Sequence, residues 1–221
     1  MLTSLSIEGE SFNQFIANET WKPYKFGLWI TLTIVIVFHV VYFYNKYQQN
    51  KIKEQNDFYE QLYKNNAYVW YYYIIQDFLM CYKYATRWLH LFEQHPEMIH
   101  VEQDMYMKGV HNLLNALFNL RHHEKYNEVL EALEKSEIDS NDNNLMIFHL
   151  YLFTAKINKH FLEGSFTDGI ELVPEIENYL ENYSGKLDDH RILVFYYKIA
   201  CIYFGNGDNK MAIEYLNRII Q

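Results

Sequence analysis

The sequence predicts an all-α fold: a solenoid of helix–turn–helix repeats preceded by one candidate transmembrane helix. Three observations predict it. Turn-forming residues are scarce, with 3 prolines and 8 glycines in 221 residues, whereas strand-rich domains need many turns. One stretch of 19 residues, 26–44, carries no formal charge. Apolar and turn positions also recur at a step of 43 residues through the C-terminal half.

The uncharged stretch reads FGLWITLTIVIVFHVVYFY. As an α-helix it would span about 28 Å, close to the ~30 Å hydrocarbon core of a bilayer. Twelve of its residues are Leu, Ile, Val or Phe, and on an insertion scale they contribute on the order of −5 kcal/mol. Trp21, Tyr24 and Trp29 at one end and Tyr42, Tyr44 and Tyr47 at the other suit the two interfaces. The preceding residues carry Glu8, Glu10 and Glu19 rather than a basic region, and no small-residue cleavage pattern follows Tyr44, so an uncleaved anchor is favoured over a signal sequence. A helix buried in the repeat core is the other alternative, but the run lacks a polar stripe. Lys46, Lys51 and Lys53 outnumber Lys22 and Lys25, so the positive-inside rule places the C-terminal part in the cytoplasm. His39, near mid-membrane, reads as a neutral imidazole facing a neighbouring helix.

The expected organisation is an N-terminal segment (1–25), the transmembrane helix (26–44) and a linker or helix extension (45–55). A degenerate helical unit (56–100) and repeats over 101–221, divided at about 101–144, 145–186 and 187–221, complete the chain. Gly164 and Gly207 stand one step apart, each between two apolar helices, and a further step back falls on Arg121. Leu130, Val173 and Leu216 follow the same step, as do Leu133, Ile176 and Ile219, and Phe118, Phe161 and Phe204. Helix pairs are predicted over 103–120 and 124–135, 145–162 and 166–182, and 188–204 and 209–220. Pro174 should kink or restart the helix it enters.

Ile199, Ala200, Tyr203, Gly207, Ala212 and Leu216 in the last unit resemble the tetratricopeptide repeat. The second unit keeps Gly164 and has Gly169 where Ala212 stands. The first has Leu114, Arg121 and Tyr126 where the last has small residues and glycine. The step of 43 exceeds the family's 34, so the fold is tetratricopeptide-like, with longer helices or linkers. In that family the first helix of each pair lines a concave groove. The resemblance therefore implies partner contacts at Lys108, His111, Asn115 and Phe118, then Tyr151, Thr154, Asn158 and Phe161, then Val194, Tyr197, Cys201 and Phe204. Asn115 and Asn158 match a position that some members use to hold a peptide's terminal carboxylate, although the accompanying lysines are mostly missing. For the Phe118, Phe161 and Phe204 stripe, packing between repeats is the favoured alternative.

Chemistry is harder to find. His90, His95 and His100 are five apart, about 140° around a helix, and no HExxH or Cys/His cluster appears. No phosphate-binding glycine motif or nucleophile elbow is present, so no catalytic residue, metal or cofactor is expected. Cys81 and Cys201 read as two buried free thiols. A net charge of −9 without a basic run argues against nucleic acid. The expected function is non-catalytic: a membrane-anchored scaffold or adaptor for a protein or peptide. A soluble peptide-sensing regulatory domain, or a fragment of a longer array, is the alternative. The last hairpin lacks a polar cap, so another copy in a homo-oligomer, or further repeats, would cover it.

Overall fold

The computed structural model describes residues 22–137 and 141–220, the side chains of 22–28 excepted. The acidic flank and Trp21 lie outside them. Every regular element among the described residues is an α-helix, as the shortage of turn residues predicts. The chain divides into two units, with the boundary between Asp57 and Phe58.

Helix α1 (Lys22–Ile74) is 53 residues long. It runs unbroken through residues 45–55, which are therefore a helix extension and not a linker. In the first unit no residue from 29 to 47 is buried, so its apolar stretch packs into no core among the described residues. Two polar side chains in this stretch turn back on their own helix. Thr33 Oγ1 donates to the Trp29 carbonyl at 2.7 Å, and His39 Nδ1 lies 2.8 Å from the Val35 carbonyl oxygen. The His39 contact is local, within one turn, rather than to a neighbouring helix. By length and composition this helix could cross a membrane.

The second unit begins at Phe58 and holds both hydrophobic cores. The end of α1 lies antiparallel to α2 (Phe78–Gln94): Phe58 meets Phe92 edge-on, Tyr68 stacks on Tyr84, and the Cys81 thiol donates to the Val69 carbonyl. A short α3 (Met98–Val101) leads into α4 (Gln103–Asn119) and α5 (His123–Glu134). Then come α6 (Asp142–Glu163), α7 (Phe166–Glu171) and α8 (Val173–Asn182), and finally α9 (Asp189–Gly205) and α10 (Asn209–Ile220). The helix expected over 166–182 is thus two helices. The chain restarts at Val173 with Pro174 in the first turn, where its missing N–H has no helical partner to lose.

Four helix ends close in one way. The left-handed residues are Gln76 (φ 60°), Arg121 (φ 55°), Gly164 (φ 69°) and Gly207 (φ 83°). After each, the next residue's N–H reaches five residues back, from Asp77 to Tyr72, His122 to Leu117, Ser165 to His160 and Asp208 to Tyr203. This pattern satisfies the carbonyls left over at a helix C-terminus. Asp77 and Asp208 then cap the following helix, accepting from the Met80 and Met211 amides at 3.1 Å.

The longer helices also keep a register. Asn144 donates to Gln103 (2.7 Å), His111 stacks on Tyr151 (4.2 Å) and Lys198 donates to Asn158 (2.5 Å). Helices α4, α6 and α9 therefore lie parallel, each advanced by about 40 residues. Helix α6 is shared between the cores, giving Leu152 and Ala155 to the first and Met146, Phe153 and Ile157 to the second. Tyr126 is fully buried and donates to the Ala155 carbonyl at 2.8 Å. At Gly169 a Cβ would lie 2.9 Å from Ile202 Cδ1 and 3.2 Å from His160 Cβ, so a larger residue there would require these side chains to shift. Beside the last hairpin, Ile213, Leu216 and Ile220 are exposed while Tyr215 is buried.

Candidate functional site

A cavity of about 480 Å³ opens on the second unit, within the range of ligand sites. One face each of α1, α4, α6 and α9 lines it, with Cys81 of α2. Helical spacing explains the α4 contribution: Lys108, His111, Asn112 and Asn115 stand three and four residues apart and share one side. Tyr151 and Thr154 of α6 are likewise one turn apart, as are Arg191 and Phe195 of α9.

The floor is built from His111 and Tyr151, stacked at 4.2 Å. The Asn115 side-chain amide donates to His111 Nε2 at 2.9 Å, which leaves the proton of a neutral imidazole on Nδ1. Burial, with the charges of Lys198 and Arg191, pushes the His111 pKa down to about 3. Lys198 is itself brought down to about 8 by burial. Lys108 lies 5.9 Å from the centre of the Trp70 ring and forms no ion pair among the described residues. Arg191 engages Asp188 through Nε at 2.9 Å.

Of the residues expected in a groove, the cavity gathers Lys108, His111, Asn115, Tyr151, Thr154 and Val194. It does not include the others. Phe118 and Phe161 are half-buried against the first and second cores, while Phe204 is 70% exposed, so the three phenylalanines do not share one environment. Asn158 is buried, and its carbonyl is taken by Lys198. Tyr197 is exposed. Cys201 is half-buried rather than buried, whereas Cys81 is buried and its thiol pKa is raised by that burial.

Sequence reasoning missed Trp70 and Tyr73 on α1, Asn112 on α4, and His190, Arg191 and Phe195 on α9. A signal existed for the first two. Counting back from Arg121 to Gln76, the preceding left-handed turn, sets Trp70 against Asn115 and Tyr73 against Phe118. No glycine marks Gln76, so that turn could not be read as the start of the register. Among the described residues no group of three or more His, Cys, Asp or Glu side chains converges as metal ligands would. Comparison with family models, curated proteins and solved structures gives no match to this chain.

Proposed function

We propose that the chain is a non-catalytic, membrane-anchored binding module of tetratricopeptide-like hairpins that takes a protein or peptide partner on its cavity face. The observation that carries this reading is the cavity itself, lined by one face of successive parallel helices rather than by a single loop or a helix pair. A solenoid reading is supported by the four identical helix endings and by the near-constant advance from α4 to α6 to α9. Aromatic and amide groups predominate among the groove residues, which suits a peptide that offers backbone and apolar side chains. The anchor is supported by the length of the exposed apolar stretch and by the return of Thr33 and His39 to their own backbone. Polar groups in hydrocarbon must be satisfied in this way.

The test uses the full chain in its own membranes. Alkaline carbonate extraction should leave it in the pellet. Asn115→Ala with Tyr151→Ala should reduce partner capture roughly tenfold or more, as truncations at an interface centre do, with helicity by circular dichroism unchanged. Asn158 is left intact, because its bond to Lys198 makes it part of the packing. Release by carbonate would refute the anchor, and undiminished capture would refute the groove.

A further inference from the structure

The cavity's polar groups are one-sided. Lys108, Arg191 and His190 line it, together with Asn112 and Asn115, and among the described residues no carboxylate does, in a chain whose net charge is −9. Lys108 has no ion-pair partner among the described residues, and Arg191 engages Asp188 through Nε at 2.9 Å. Asn112 lines the cavity, and its amide nitrogen is buried without an acceptor. A buried donor without an acceptor is costly, so an acceptor supplied from outside would recover that energy. Asn115 already donates to His111, which remains neutral, its Nδ1–H being one more donor. Beside these donors stand the apolar surfaces of Trp70, Tyr151 and Phe195.

Cationic side chains with no carboxylate beside them among the described lining residues, next to aromatic walls in a space of about 480 Å³, select for charge and shape together. We propose that the cavity holds a small organic anion, with one carboxylate or sulfonate group set against Lys108, Arg191 and Asn112 and an apolar body of ring size along Trp70, Tyr151 and Phe195. The proposal rests on the same reading of the cavity as a binding surface, and it assigns the cavity a small organic anion in place of a peptide. A guanidinium offers an oxyanion two parallel hydrogen bonds, and the half-buried Lys108 adds a second positive charge. The charges that reach the site from its surroundings include Lys198, which with Arg191 disfavours protonation of His111, Asp104, which acts on Tyr151, and Asp77, which acts on Cys81. Asp188 offsets part of the Arg191 charge.

The test is calorimetric titration of the full chain in phosphatidylcholine nanodiscs, with empty nanodiscs subtracted. The probes are 1-naphthylacetate, the uncharged 2-(1-naphthyl)ethanol and 1-naphthylmethylamine, which share one ring body. The acid should bind roughly tenfold tighter than the alcohol, and the amine most weakly. Lys108→Met should narrow the difference between acid and alcohol to about threefold, and Lys108→Met with Arg191→Gln should abolish it. Lys108 can be replaced without breaking an ion pair, so the single variant guards against a fold defect in the double one. Equal binding of acid and alcohol, with both lost in Tyr151→Ala, would overturn the anion assignment alone and leave the cavity as a binding surface. Absence of binding by all three probes would overturn the assignment together with the cavity as a ligand site. A capped dipeptide, acetyl-Glu-Phe-amide, binding more tightly than naphthylacetate would overturn the small-molecule occupant.

Discussion

His111 combines burial, a hydrogen bond and nearby charge in one side chain. Its Nε2 accepts from Asn115, its ring stacks on Tyr151, and Lys198 and Arg191 oppose its protonation. The folded pKa of about 3 lies below the ordinary 6.5. Between these values the unfolded chain binds more protons, so the His111 contribution is intact above 6.5 and is lost as pH falls towards 3. On going from pH 7 to pH 5 the full chain should lose about 2 kcal/mol more unfolding free energy than His111→Gln, which can still accept from Asn115. Denaturant titrations at the two pH values measure this. Equal losses in both chains would show that His111 is not held neutral by its surroundings.

At the scale of the element, the hairpin turn decides how the chain folds back. Gly164 and Gly207 supply left-handed residues without steric cost, but Gln76 and Arg121 reach the same conformation with a Cβ. Arg121→Gly should therefore stabilise the chain by about 1 kcal/mol, and Gly207→Ala should destabilise it by a similar amount. A Cβ at Gly207 would meet nothing within 4 Å, so that loss would be conformational and not a clash. Thermal or denaturant unfolding measures both, and a destabilised Arg121→Gly would contradict the turn assignment. The same turns show what was legible in the sequence. The two glycine turns and the Pro174 restart could be read because those residues have special backbone chemistry. Gln76 could not, since nothing in a glutamine announces a left-handed φ, and with it went Trp70 and Tyr73 of the cavity. Lys108, His111 and Asn115 could be placed because one helix periodicity sets them on one side. His190 and Arg191 lie at the start of α9, ahead of the positions the repeat register singles out.

At the scale of the whole molecule, the chain joins an exposed apolar helix stretch to a unit with two cores that share α6. The central claim is that the cavity face of the second unit is where a partner binds. The most direct measurement is site-specific photo-crosslinking of the full chain in intact membranes. A benzophenone amino acid replaces Tyr151, which lines the cavity, or Glu131, which lines a different depression with Lys156 and Lys159. The aromatic replacement at 151 preserves a ring beside His111. Adducts of one defined mass from position 151, suppressed by Asn115→Ala and absent from position 131, are the predicted result. Equal labelling from both positions, or labelling from position 131 alone, would contradict the account.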